Sequence, residues 1–290
     1  MKNNYYRHKY MKNTTRVDFH CHSLYSDGCL LPRELAELLA RDGVVVASLA
    51  DHDCIDGLDE FSQALSRKEV GFITGVEITT QYNGIETHLL AYGFDSSNSE
   101  LQATLSKIRQ SKAPNVQSIA DSIRRKNSHP LEDFSTEDVS SDNKIDIADA
   151  ISLVHRAGGY AFLAHPLVFC QNIKELEKIL IDLKAKNLDG IEAIYEPYST
   201  EQRKQLVELA NKLGLLVSAG TDSHDRKPNN GDTFGIDMPT DLWKEFRDKV
   251  FSDRLSQNSV TQHHSLEHIR RKFHWRNFIF HFISPTVLAI

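Results

Sequence analysis

The stretch Val17 to Cys29 reads V-D-F-H-C-H-S-L-Y-S-D-G-C. His20 and His22 sit one residue apart at the end of a short apolar run, and Asp27 and Gly28 follow. On a strand the side-chain period is two, so His-x-His aims both imidazoles to one side, where they can grip one ion. Asp222-Ser223-His224 repeats the spacing. His52, Glu77, His88 and His165 also stand where apolar runs stop. A strand-end histidine by itself is most often a hydrogen-bonded structural residue. The joint pattern is harder to explain as core filler, because a buried charge is costly unless paired or metal-bound. Imidazole together with carboxylate suits Zn, Mn or Fe.

Residues so far apart in sequence need a scaffold that converges them. Apolar runs rich in Val, Ile and Phe alternate with amphipathic stretches along most of the chain. Val17–His20, Val44–Ala50, Phe72–Thr80, Glu86–Phe94, Tyr160–Ala164, Gly190–Tyr195 and Leu215–Ala219 read as strands. Asn83-Gly84 joins two of them as a turn. Pro32–Arg41, Leu58–Leu65, Ile147–Ala157, Ile173–Lys186 and Thr200–Leu213 read as helices. Such alternation with short turns argues a parallel α/β fold. In a parallel barrel the strands present their C-terminal ends at one face, so residues there meet. From Asp95 to Asp149 the pattern is polar and Ser-rich, with helical spacing over Leu101–Arg125 and a loop-like Asn127–Asn143, and reads as a small helical insert.

The bulk properties bound the function. The 290 residues carry a net charge of -6, with 40% hydrophobic content. That suits one large soluble domain and gives no sign of a general nucleic-acid-binding surface; duplex DNA is not an expected partner. Cys21, Cys29, Cys54 and Cys170 form no C-x-x-C pair, and the N-terminus lacks an apolar signal region, so a reduced cytoplasmic protein is expected. Residues 1–15 read as a polar tail, with Met1 or Met11 as the start. Residues 251–290 read as a C-terminal tail. Its end, W-R-N-F-I-F-H-F-I-S-P-T-V-L-A-I, is apolar but shorter than the roughly 20 residues of a span. It is a packed terminal element or a membrane-surface contact. No internal repeat is visible.

The motifs resemble those of the PHP phosphoesterases, the family named for polymerases and histidinol phosphatases. D-F-H-C-H-S-L-Y-S-D-G (Asp18–Gly28), L-A-D-H-D (Leu49–Asp53), G-V-E (Gly75–Glu77), L-A-H-P (Leu163–Pro166) and G-T-D-S-H (Gly220–His224) occur in order. The resemblance covers about Arg16 to Met238, apart from the insert. It implies a distorted (β/α)7 TIM-like barrel over residues 16–250, with an insert at about 95–149, holding three divalent ions. By position, one ion would take His20, His22, Glu77 and Asp222; a second Asp27, His52 and His224; a third Glu77, His88 and His165, with Glu77 bridging. An acid at Asp27, where some members have histidine, would favour Mn. Such ions would lower the pKa of a bridging water and offset charge on the phosphoryl group. Asp27, His52 and His224 are the expected catalytic group. Cys21, between the histidines, is expected to point away as core filler. Asp51 and Asp53 are expected to orient imidazoles or to cap turns.

The G-V-E-I-T and H-L-L-A-Y-G-F runs look closest to the bacterial branch that removes the 3′ phosphate of nucleoside 3′,5′-bisphosphates or trims short RNA from its 5′ end. A small phosphorylated substrate follows, a nucleotide or short RNA. Arg109 and Lys112, with Arg124 and Arg125, would contact phosphate; the alternative is a solvated charged helix face. The chain lacks the Gly-Arg-Pro-His segment of that branch between Asp133 and Ile147. Other readings are a phosphatase on a non-nucleotide ester, an amidohydrolase, or a non-catalytic metal-binding module. No lysine stands at a strand end as the amidohydrolase reading would want.

Overall fold

The computed structural model describes residues 13–112, 144–226 and 233–252. The N-terminal tail to residue 12, the rest of the polar segment with Arg124 and Arg125, and the C-terminal tail from residue 253 lie outside the described residues.

Seven strands form a ring: β1 (Thr14–Asp18), β2 (Val46–Leu49), β3 (Gly71–Tyr82), β4 (Ile85–Tyr92), β6 (Tyr160–Leu163), β7 (Gly190–Tyr195) and β8 (Leu216–Gly220). Two short strands flank it. β5 (Ile145–Asp146) pairs with β3, and β9 (Ile236–Pro239) pairs antiparallel with the start of β1. β1 thus changes neighbours along its length. Once past β9, the chain after Asp18 meets β8 instead: the Phe19 N–H donates to the Ala219 carbonyl, and Cys21 bridges Ser223. That contact closes the barrel.

The sheet is mixed where alternation alone predicts an all-parallel one. β4 runs antiparallel to both β3 and β6. The cause is local: Asn83 (φ 51°) and Gly84 (φ 79°) make a two-residue hairpin turn, and a hairpin reverses the chain. His88 therefore lies in the first half of β4, opposite Thr79 of β3, and not at a strand's C-terminal end.

The helices follow their sequence stripes: α1 (Pro32–Arg41), α2 (Leu58–Arg67), α3 (Ser99–Lys112), α4 (Ile147–Arg156), the short α5 (Pro166–Phe169), α6 (Ile173–Ala185), α7 (Thr200–Leu213) and α8 (Thr240–Ser252). α1 starts on Pro32 and buries Leu35, Ala36 and Leu39 on one face. α7 opens on a Ser199/Gln202 capping box and closes on left-handed Gly214. Leu101, Leu105 and Ile108 of α3 are buried in the main core, so the start of the polar segment packs on the barrel. Neither β9 nor α8 is evident from the apolar pattern. α8 sets Phe246 in stacking contact with Phe19, 4.6 Å between centroids, and adds Trp243 beside them. Tyr92 and Phe162 complete this aromatic cluster. Among the described residues no helix is long and apolar enough to cross a membrane.

Candidate metal centre

One carboxylate organises the site. Glu77, in the middle of β3, is buried, and five histidine nitrogens face its two oxygens. On Oε2 these are His20 Nε2 at 3.1 Å, His22 Nε2 at 3.3 Å and His52 Nε2 at 3.3 Å. On Oε1 they are His88 Nδ1 at 2.9 Å and His165 Nε2 at 3.0 Å. Two further acids flank this core. Asp222 Oδ1 lies 2.9 Å from His22 Nε2 and 3.2 Å from His20 Nε2. Asp27 Oδ2 lies 3.2 Å from His224 Nε2 and 3.7 Å from His52 Nε2.

The pattern fits cations better than hydrogen bonds. A carboxylate offers about four lone-pair sites, fewer than the five nitrogens turned toward it. Both ring nitrogens of His22 are buried and make no directed hydrogen bond, although carboxylate oxygens lie close; His52 Nδ1 is likewise without one. Buried polar atoms are normally satisfied. Three groups bring their ligand atoms within 4.8 Å of one another: His20, His22, Glu77 and Asp222; His22, Asp27, His52 and His224; and His52, Glu77 and His88. All nine sequence-derived candidates thus meet in one site. Two groupings differ from the expected sets. His22 joins the Asp27 group, and His52 replaces His165 in the tight group with His88, while His165 remains beside Glu77.

The charge balance points the same way. Burial disfavours a charged Glu77, but the His52, His20 and His88 rings outweigh it and hold its carboxyl well below the usual range. Asp222 is likewise held low against burial, mainly by His20 and His22. Asp27 is held low against burial by His224, His22 and His52. His22 is pushed to about 10: burial opposes its charge, and Asp222, Glu77 and Asp27 override burial. His52 is pushed down to about 4, chiefly by burial, which leaves it a neutral imidazole. An acid cluster that stabilises imidazolium stabilises a divalent ion in its place.

Local structure explains these positions. Beyond β1, His20 and His22 face the site, while Cys21 turns away and donates to the Ser48 carbonyl at 3.2 Å. Three non-glycine residues here have positive φ: Asp53 (50°), His165 (25°) and Asp222 (52°). Such strain costs about 1–3 kcal/mol each and persists only where surroundings impose it. Gly28 has an ordinary φ, so the turn does not need glycine for a left-handed backbone. A Cβ there would lie 2.4 Å from the His22 carbonyl oxygen, so close approach is what requires it.

Three buried aspartates accept hydrogen bonds from backbone and hydroxyl groups. Asp18 accepts from the Thr221 N–H and hydroxyl, at 3.1 and 2.7 Å. Asp51 accepts from the Ser23 N–H and hydroxyl, both at 2.7 Å, and from the Ser26 hydroxyl at 2.6 Å. Asp53 accepts from the Thr79 N–H and hydroxyl, at 2.8 and 2.9 Å. Each ties one ligand-bearing segment to the next; for Asp51 and Asp53 these bonds fit the turn-tying alternative, and the His22 ring also acts on the Asp51 carboxyl. Sequence reasoning missed Asp18, Glu192 and Tyr195, whose hydroxyl donates to Asp222 Oδ2 at 2.7 Å. A lone acid in the apolar run G-I-E-A-I-Y is the one signal that marks Glu192.

Arg109, on α3, lies outside the metal-ligand cluster and packs against the loop after His52. Its guanidinium is 3.0 Å from Cys54 Sγ and 3.1 Å from Asp56 Oδ2, lining a cavity of about 460 Å³ with Asp53, Leu105 and Gln110. Lys112 ends α3, and its side chain lies outside the described residues.

The PHP domain family matches residues 18–217. The chain belongs to the PHP family. A 5'-3' exoribonuclease from Haemophilus influenzae is 31% identical over 248 residues, covering 73% of this chain and 90% of the relative. A 3',5'-nucleoside bisphosphate phosphatase from Chromobacterium violaceum is 24% identical over 247 residues, covering 72% and 87%. A solved structure from Chromobacterium violaceum, described as an amidohydrolase with bound sulfate, superposes with a TM-score of 0.64 at 23% identity, covering 80% of this chain and 96% of that one. A Bifidobacterium adolescentis structure, described as a proposed metal-dependent phosphoesterase, gives 0.63 at 23% identity, covering 80% and 95%. The fold is therefore that of the PHP barrels, and this PHP protein is a phosphoesterase.

Proposed function

We propose that this PHP protein hydrolyses phosphate esters of nucleotides, nucleoside 3′,5′-bisphosphates or the 5′ ends of short RNA, at a centre of three divalent ions, Mn, Zn or Fe. The observation that carries the reading is the crowding of five imidazole nitrogens around the one buried carboxylate of Glu77. When bound, the ions supply hydroxide near neutral pH and offset the charge of the phosphoryl oxygens.

The chain's own residues divide the work by exposure. His20, His22 and Glu77 are sealed from solvent, while the side chains of Asp27 and His224 are 53% and 35% exposed. The substrate therefore enters on the Asp27, His52 and His224 side, and these three would hold an ion on that open side. Tyr195 fixes Asp222 through its hydroxyl and leaves Oδ1 turned to His20 and His22. Arg109 is assigned to the non-reacting phosphate, which would displace Asp56 from its guanidinium.

The nucleotide substrate rests on the two relatives' names, since the site alone accepts any accessible phosphate ester. Mn-dependent phosphate release from a nucleoside 3′,5′-bisphosphate, run beside a short 5′-phosphorylated RNA, tests it. Chelator-sensitive turnover of either supports the reading. Turnover of neither, with metal bound, would move the substrate to non-nucleotide esters.

A further inference from the structure

Glu192 sits within β7 with no exposed surface, and its carboxylate serves two different segments. Oε1 lies 2.9 Å from His20 Nδ1. Oε2 accepts the peptide N–H of His165 at 2.9 Å. The two histidines sit at opposite oxygens of Glu77: His20 Nε2 is 3.1 Å from Oε2, and His165 Nε2 is 3.0 Å from Oε1. The His165 backbone is held at φ 25°, a conformation that needs outside support. β8 is thinned to let the pair meet. A Cβ on Gly220 would lie 2.9 Å from Glu192 Oε1 and 2.3 Å from His20 Cβ.

We infer that Glu192 is a positioning residue that presents His20 and His165 to two different ions, and so couples the filling of those two positions. This rests on the metal-centre reading above. By accepting the Nδ1 proton, the carboxylate leaves the His20 Nε2 lone pair free for an ion. By holding the His165 peptide, it fixes the bend that swings that ring toward Glu77. An amide cannot do both. Glutamine at 192 has one oxygen, so its NH₂ must face either the His165 N–H, a donor, or His20 Nδ1. In the second case the ring proton moves to Nε2 and the ligand is lost.

The test compares wild type, Glu192→Gln and Asp189→Asn in full-length protein stripped with chelator. Asp189 is a control away from the metal centre: its Oδ2 alone joins His155 Nε2 of α4, at 2.7 Å, to the Ala161 N–H of β6, at 2.8 Å, so one amide oxygen can still serve both. Melting temperature in chelator reports folding, and Mn²⁺ titration with elemental analysis reports ion affinity and number. Glu192→Gln is expected to weaken Mn²⁺ binding about 10- to 100-fold and to lose the ions of both positions together, while Asp189→Asn changes only melting. Mn²⁺ affinity within about twofold of wild type in Glu192→Gln would overturn the inference, as would loss of one ion with the other unchanged. A wild type that takes up no Mn²⁺ would instead overturn the metal-centre reading. If Glu192→Gln does not fold, ¹⁵N-histidine NMR of Zn²⁺-loaded wild type decides: a proton on His20 Nδ1 supports the inference, and a protonless Nδ1 overturns it.

Discussion

Asp51 carries a quantitative prediction. It is buried and accepts three hydrogen bonds, two of them from the buried N–H and hydroxyl of Ser23. Asp51→Ala leaves both Ser23 donors without a partner in a site closed to solvent. Each orphaned buried group costs about 1–3 kcal/mol, so the pair costs about 2–6 kcal/mol. Burial of the Asp51 carboxylate raises its pKa, and relief of that burial offsets part of the loss, which places the expected value in the lower half of the range. For a domain of this size each kcal/mol shifts the melting temperature by roughly 2–4 °C. A fall of roughly 4–16 °C is therefore expected. Melting in excess chelator is the assay, because the loss must appear with no ion to bind. Asp51→Asn keeps one acceptor and should lose about half as much. A chelated Asp51→Ala that melts within about 1 °C of wild type would refute the view that these bonds tie the His22 turn to β2.

Three other outcomes are expected. Phe246→Ala removes the ring stacked on Phe19 and should cost about 3–5 kcal/mol in denaturant unfolding, which would make α8 part of the barrel's core. Asp42 is held below the usual carboxylate range, first by Arg41 and then, against a burial effect, by the Phe234 N–H. A depressed carboxylate stabilises the fold above its unfolded pKa and loses that contribution as pH falls through the folded value. Asp42→Asn should therefore destabilise by at most about 1 kcal/mol at pH 7, since the Arg41 partner is exposed, and converge with wild type in acid, read from urea midpoints across pH. Arg109→Ala should raise the KM for a bisphosphate more than it lowers kcat, and an unchanged KM would return Arg109 to a structural partner of Asp56.

Much of the barrel was legible because its parts are local. Pro32–Arg41, Gly190–Tyr195 and Thr200–Leu213 have the same bounds in sequence and structure, since a proline start, an apolar run between turns and a Ser-capped, Gly-closed stripe each fix their own limits. Asn83-Gly84 fixed a hairpin, yet its consequence, a β4 antiparallel to both neighbours, depends on pairing with β6 far along the chain. β9 and α8 were not legible: β9 is short and takes its meaning from pairing with β1, and the apolar side of α8 shows only once Phe19 is there to receive it. Eight of the nine site residues stood out because imidazoles and acids where apolar runs stop are conspicuous, and the family resemblance supplied Asp27. Of the residues that hold them, Asp51 and Asp53 were marked by their place beside His52, whereas Asp18, Glu192 and Tyr195 take their meaning only once Thr221, His20 and Asp222 are brought beside them.

The most direct measurement is the number of Mn²⁺ ions per chain in wild type and Glu77→Gln, with phosphate release followed on the same samples. Three ions in wild type are expected. At most one should remain in Glu77→Gln, with activity down about 10³-fold or more, since metal stabilisation is worth several kcal/mol. A Glu77→Gln protein that keeps three ions and its turnover would contradict a centre built around that carboxylate.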